Sequence, residues 1–353
     1  MSAAGPPQGD RPLGGAARSA VRGEPTSAAG PPQGANYTPL GGSAAAPAAS
    51  VGVVPRRPHG VGLYGPAGFA LDPAAVDRAV TRLEAMWERV VVDPTCRTRW
   101  QRFTAPDDER LAAVLRMAND PRVDLAIALR GGYGWTRLLP RLDFAAIAAA
   151  DKMWMGYSDF TAFQLAALAA TGMVTFAGPV VTGDFGAADP SAFTFEHCFG
   201  VLDQARYEFA CALEGPDAAC AGTLWGGNLA MVAHLVGTPY LPDIDGGVLF
   251  LEDVGETPYR IERMLYQLHH AGILARQHAV LLGRFTEYTL SGNDGGYDLD
   301  TVVAQLRSVC ATPILTGLPF GHVHDKLTLP VGGRCALAVR GGAATLEFTD
   351  YGR

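Results

Sequence analysis

Apolar residues at Val76, Val80, Leu83, Met86 and Val90 recur at steps of four and three, which predicts a helix with one buried face. Asp72 caps this helix and Pro73 opens it. Before it, residues 61–68 read as a short strand entering a Gly/Pro loop. After it come a strand near 90–92, a loop over 99–103, and a second helix over 107–119 carrying Leu111, Val114, Leu115 and Met117. This alternation is the rhythm of a parallel sheet covered on both faces. Residues 125–129 and 173–176 supply further core strands. Between them, 151–161 reads as a buried approach, a tight turn carrying Ser158, and a helix starting near Asp159 to Thr161, backed by the apolar run 162–170.

The pattern loosens after Phe185. Residues 193–212 are compatible with a helix and 214–217 with a turn, so the domain change is placed near residue 205. Beyond it, 222–228 is a Gly-rich approach to a helix over 228–235, and 248–253 is an apolar strand ending in Glu252 and Asp253. A helix covers 259–270, and strands are expected at 279–282, 314–316, 327–329, 335–339 and 344–348. The fold class is α/β: an N-terminal parallel-sheet domain over 60–205, then a smaller α+β, β-rich domain over 206–353.

Residues 1–59 differ in composition. Ala, Gly, Pro and Ser dominate, Pro-Pro-Gln-Gly recurs at Pro7 and Pro32, and no apolar period is present, so a disordered extension is expected. Its five arginines against Asp10 and Glu24 give +3, leaving −10 for the rest of a chain of net charge −7. An acidic body argues against a general nucleic-acid binder. The first residues lack the basic and apolar regions of a secretory signal, and no apolar run is long enough to span a bilayer. The six cysteines contain no Cys-x-x-Cys and fit reduced thiols in a cytoplasm.

Candidate chemistry gathers at a few places. Ser158 at a helix start has the setting of an acyl-transfer nucleophile, although Phe160 stands where Gly-x-Ser-x-Gly has its second glycine. The same residues also suit an ordinary Ser/Asp helix cap. Arg130-Gly-Gly-Tyr-Gly134 follows a core strand, where ligand loops collect, and is neither Gly-x-Gly-x-x-Gly nor a Walker loop. Its glycines also suit a tight turn. Glu252 and Asp253 are acids at the end of an apolar strand, a costly placement unless bonded. His322 and His324 flank a loop, His269 and His270 end a helix, and no His-Glu-x-x-His is present. Trp225 reads as core from the pattern alone.

Taken together, Arg130-Gly-Gly-Tyr-Gly134 with Thr136-Arg-Leu-Leu-Pro140, Gly156-Tyr-Ser-Asp-Phe-Thr161, Gly222-Thr-Leu-Trp-Gly-Gly-Asn-Leu229, Leu251-Glu-Asp253 and Phe320-Gly-His322 resemble the LD-carboxypeptidases of family S66. The resemblance runs from about Gly62 to the C-terminus and is greatest to the muramoyltetrapeptide carboxypeptidases. It implies an N-terminal domain resembling class I glutamine amidotransferases and a serine peptidase with the triad Ser158, Glu252 and His322. It further implies oxyanion donors at Asp159 and Gly132, substrate contacts at Tyr133, Trp225 and Asn228, and no cofactor or metal. Trp135 is expected beside the site. The implied reaction releases terminal D-alanine from a cytoplasmic L-alanyl-D-glutamyl-meso-diaminopimelyl-D-alanine muropeptide during peptidoglycan recycling, by a homodimer. Alternatives within this frame are a self-immunity peptidase acting on aminoacyl-nucleotide antibiotics and a catalytically silent muropeptide-binding protein. Arg130, Arg137 and Arg260 remain equal candidates for substrate or structural ion pairing.

Overall fold

In the first half of the chain, short strands, most of them buried, are interspersed with helices. The strands are β1 (Gly60–Tyr64), β2 (Arg89–Val92), β3 (Leu125–Ala128), β4 (Met153–Gly156) and β5 (Thr175–Ala177). The helices are α1 (Ala74–Glu84), α2 (Asp107–Asn119), α3 (Trp135–Leu138), α4 (Phe144–Ala149), α5 (Thr161–Thr171) and α6 (Ala192–Asp203). The computed structural model describes residues 58–352. Helix α1 buries Val76, Ala79 and Leu83 on the face its spacing predicts. Helix α2 starts with Asp107, Asp108 and Glu109, acids that favour the positive end of the helix dipole.

The second half contains β6 (Tyr207–Ala212), β7 (Ala218–Asn228), α7 (Leu229–Leu235), β8 (Val248–Val254), α8 (Pro258–His270), β9 (Ala279–Thr286), α9 (Leu299–Val309), β10 (Ile314–Thr316), β11 (Leu329–Val331), β12 (Arg334–Arg340) and β13 (Ala343–Thr349). These strands complete two sheets, one of six strands in the order β11-β5-β4-β3-β1-β2 and one of seven in the order β10-β9-β8-β7-β12-β13-β6. In the first sheet β1 to β5 are parallel and β11 is antiparallel to β5. In the second, β7 to β10 are parallel and β12, β13 and β6 continue it antiparallel.

One connected core of buried side chains runs through both sheets. Helix α5 explains the continuity. Every residue from Thr161 to Ala167 is buried, as expected of a helix that is apolar nearly all round, and it packs on α7 and β7 as well as on β5. Trp135, Phe160 and Phe163 cluster around its start, with the Trp135 and Phe163 rings 4.6 Å apart.

Four features depart from the pattern reading. Residues 193–212 are not one helix, because α6 ends at Asp203 and β6 follows at Tyr207. Residues 222–228, read as a Gly-rich approach to a helix, form the end of the long strand β7. The strand expected at 327–329 lies at Leu329–Val331 and joins the first sheet rather than the C-terminal one. Helix α9, capped by the Asp298 side chain accepting from Thr301 N, was not anticipated. The expected disordered extension lies outside the described residues over 1–57. At its end the His59 amide donates to Asp124 Oδ2 at 2.9 Å, so order reaches that residue.

Candidate active site

Strand β4 is central in the first sheet, and Ser158 lies two residues past its C-terminal end. The turn is tight because Phe160 folds back over Gly156, where a Cβ would come 2.8 Å from the Phe160 ring. Ser158 itself is held at φ 66°, a left-handed conformation rare for a residue with a side chain. Such strain persists only where surrounding packing imposes it, and it presents Oγ beyond the strand end. Gly131, on the loop after β3, closes against the same side chain. A Cβ on Gly131 would lie 2.7 Å from Ser158 Oγ, so no larger residue fits there without displacement.

Strand β8, central in the second sheet, delivers the acids. The β8–β9 register shifts between Leu251 and Asp253, a bulge-type irregularity of the kind that re-aims side chains. Glu252 is fully buried and its Oε2 accepts from His322 Nδ1 at 2.8 Å. His322 Nε2 lies 3.0 Å from Ser158 Oγ. With Nδ1 carrying the proton, Nε2 is the acceptor for the serine hydroxyl. Gly321 at φ 141° takes the loop in under Glu252, where a Cβ would lie 3.2 Å from Oε2. The Tyr157 ring meets the imidazole edge-on at 5.0 Å.

Asp253 faces a different set of partners. Its Oδ1 accepts from Asn228 Nδ2 and from Val254 N, both at 2.8 Å, and its Oδ2 accepts from Ala230 N at 2.9 Å, in the first turn of α7. Burial pushes its carboxyl up to about 6 despite these bonds. Asp159 is also raised to about 6 by burial, its Oδ2 accepting from Trp135 N at 3.0 Å. His324 turns away from the serine, with Nδ1 2.8 Å from Asp325 Oδ1 and Nε2 3.1 Å from Asp189 O.

Ser158, Glu252 and His322 are thus brought into one hydrogen-bonded row, and Asp159 directly follows the serine. Other expected contacts lie elsewhere. Trp225 is buried in the core, 1% exposed, its Nε1 donating to Gln277 Oε1 at 2.9 Å, so it offers no face to a substrate. The cause is that this end of β7 is an interior strand buried throughout, every residue from Leu224 to Asn228 being covered. Asn228 is 5% exposed, caps α7, and reaches Glu252 Oε1 at 3.4 Å as well as Asp253; it orients the acids rather than lining a pocket. Gly132, at φ 107°, packs toward Gly68, and its neighbour Gly131 is the glycine in contact with Ser158. Tyr133 is 39% exposed and packs beside Phe103. Trp135 is fully buried.

The sequence reading did not single out Tyr157 or the buried Lys326–Asp184 pair. Both line a cavity of about 300 Å³ with Ser191, Glu287 and His322. The aromatic residue directly before the serine was a signal for the first. The pair joins residues far apart in the chain and left none. Among the described residues no group of three or more His, Cys, Asp and Glu side chains is arranged to hold a metal ion.

The LD-carboxypeptidase N-terminal domain model of family S66 matches residues 61–178, and the corresponding C-terminal domain model matches 221–337. The chain belongs to the S66 LD-carboxypeptidases. A solved muramoyltetrapeptide carboxypeptidase from Oxalobacter formigenes is 44% identical, with a TM-score of 0.79 over 83% of this chain and 100% of that one. A probable murein peptide carboxypeptidase of Bacillus subtilis (strain 168) is 30% identical over 291 residues, 81% of this chain and 91% of that one. The microcin C7 self-immunity protein MccF of Escherichia coli is 28% identical over 262 residues, 65% of this chain and 75% of that one. Within the S66 family, then, this chain is a carboxypeptidase whose two family domains each contribute to the row Ser158, His322, Glu252.

Proposed function

We propose that the protein is a serine-type LD-carboxypeptidase that releases the terminal D-alanine of a muramoyl tetrapeptide. The observation that carries the reading is the pair of contacts made by one imidazole: Nδ1 to Glu252 at 2.8 Å and Nε2 to Ser158 at 3.0 Å. In this mechanism His322 takes the Ser158 proton as Oγ attacks the carbonyl between the L- and D-centres, and Glu252 stabilises the imidazolium. The amides of Asp159 and of the 130–134 loop, Gly132 in particular, hold the oxyanion. As the tetrahedral intermediate collapses, the C–N bond breaks and His322 returns the proton to the departing D-alanine amine. Water, deprotonated by His322, then resolves the acyl-enzyme and restores Ser158.

The muropeptide substrate is supported by relatives named for murein and muramoyl peptides, one of them 44% identical. The meso-diaminopimelate stem, the role in recycling, cytoplasmic location and a homodimeric state belong to the same proposal and rest on the family resemblance. Among the described residues no helix is long and apolar enough to cross a membrane.

Mass spectrometry of products after incubation with tetrapeptide, pentapeptide and an aminoacyl-nucleotide conjugate tests the reading. The expected result is loss of one alanine from the tetrapeptide, abolished in Ser158→Ala. Cleavage of the conjugate alone would move the assignment to self-immunity, and binding of tetrapeptide without cleavage would leave a silent receptor.

A further inference from the structure

The three arginines left equal by the sequence are not equal in the structure. Arg137 Nη2 is bound to Asp107 Oδ2 at 2.7 Å, and Arg260 Nη1 lies 3.5 Å from Glu256 Oε2 on the surface. Arg130 pairs with no carboxylate among the described residues. Among the described residues its side chain makes one hydrogen bond, from Nη1 to the Phe69 carbonyl at 3.3 Å, so most of the donors of this half-buried guanidinium face no acceptor there. Burial opposes its charge, and nearby Arg102 opposes it further. A partly desolvated cation in this condition is built for an anion that arrives from outside.

Its position identifies the anion. Arg130 directly precedes Gly131, the residue pressed against Ser158, so its backbone is about one Cα–Cα step, roughly 3.8 Å, from the glycine that touches the nucleophile. The side chain runs back toward Gly68, where a Cβ would lie 3.6 Å from Nη1. The exposed Arg99, stacked over the Phe69 ring at 4.1 Å, and Arg102 also pair with no carboxylate among the described residues. Together they give a cationic cluster around Gly68 and Phe69, next to the Gly131 that closes on the serine, in a chain of net charge −7. An exopeptidase that removes one residue needs a counter-charge one residue past the scissile bond, to accept a free terminus and reject a continued chain.

We propose that Arg130 receives the C-terminal carboxylate of the substrate and thereby fixes cleavage at the last peptide bond, with Arg102 and Arg99 drawing the anion in. This rests on the carboxypeptidase reading above and deepens it. A planar guanidinium suits a carboxylate through two parallel bonds, a geometry that lysine does not reproduce.

The test compares tetrapeptide as free acid with the same peptide as its C-terminal amide, for wild type, Arg130→Gln and Arg130→Lys. Wild type is expected to prefer the free acid by about ten- to a hundredfold in kcat/KM, the range for a lost charge-assisted bond. Arg130→Gln is expected to lose the free acid's advantage, its ratio of free-acid to amide kcat/KM falling to about one, and Arg130→Lys to regain part of the preference. Because the preference is a ratio within each protein, partial misfolding cancels. Retention of the full preference in Arg130→Gln would overturn the proposal. Calorimetric binding of both peptides to Ser158→Ala, with and without Arg130→Gln, reads the same preference without turnover. A wild type that cleaves neither peptide would sink the catalytic reading, while Arg130-dependent binding of the free acid would still stand or fall by itself.

Discussion

Two adjacent acids, Glu252 and Asp253, show how finely single residues are distinguished. Both are buried, but Glu252 bonds the imidazole while Asp253 bonds Asn228 and the start of α7. Replacing Glu252 with Gln keeps the shape and removes the charge opposite Nδ1. Turnover is expected to fall by about four orders of magnitude with little change in thermal stability, the pattern of a lost orienting carboxylate. Asp253→Asn is expected to do the reverse. Whichever way its amide turns, an NH2 group confronts a backbone N–H donor, so stability drops by roughly 1–3 kcal/mol while folded protein stays within about tenfold of normal turnover. Steady-state kinetics on both variants, beside their melts, decides the matter. Collapse of turnover in Asp253→Asn with a normal rate in Glu252→Gln would exchange the two roles.

At the scale of elements, the pattern is most legible where one face of a helix is buried, as in α2 and α8, and in α1 up to Glu84; Met86 and Val90, counted on the α1 face, lie beyond its end, Val90 in β2. It failed where backbone approaches backbone. The Gly226-Gly227 pair reads as part of a Gly-rich approach to a helix, but both glycines lie in β7, opposite Phe250 and Leu251 of β8. A Cβ on Gly226 would come 1.9 Å from the Phe250 carbonyl oxygen, and one on Gly227 would come 2.3 Å from Thr161 Oγ1. Gly227 lets α5 lie against the second sheet and Gly226 lets β7 lie close to β8, approaches that no local pattern announces. β11 was misassigned for a related reason: its partner β5 lies far back in the chain. The motifs singled out Ser158, Glu252 and His322, which the fold brings within hydrogen-bond distance, but could not place Trp225, since a tryptophan beside a motif has the same letter whether it faces core or cleft. Gly226→Ala is therefore expected to cost about 3 kcal/mol or more, through a backbone clash and a φ of 131° that alanine resists. Gly172→Ala, at φ 71° with nothing within 4 Å, should cost only about 1–2 kcal/mol. Equal destabilisation in denaturant melts would refute the close-packing account.

For the whole molecule, the row Ser158, His322, Glu252 draws on both sheets, so its alignment depends on the two staying folded together. The continuous core and the return of β11 to the first sheet favour a single cooperative transition. Asp159 gives a pH handle on it. Burial is the main cause of its rise to about 6, from an ordinary carboxyl value near 3.8, and its Oδ1 has no hydrogen-bond partner among the described residues. The folded state therefore holds this proton more tightly than the unfolded chain does. Between about pH 4 and pH 6 the native state binds more protons, and stability from this group is present at low pH and lost as pH rises through the folded value. The amide introduced by Asp159→Asn cannot ionise, and its carbonyl can still accept from Trp135 N. Other carboxyls, such as Asp93, are lowered and tilt the curve the opposite way, so the useful quantity is the difference between wild type and Asp159→Asn. That difference is expected to fall, to the disadvantage of wild type, by on the order of 2–3 kcal/mol from pH 4 to pH 7. Melts followed by far-ultraviolet dichroism and by tryptophan fluorescence should shift together, because Trp154 reports from the first sheet and Trp225 from the second. A flat or rising difference would remove the buried carboxyl as its cause, and separate transitions for the two signals would show that the sheets unfold independently.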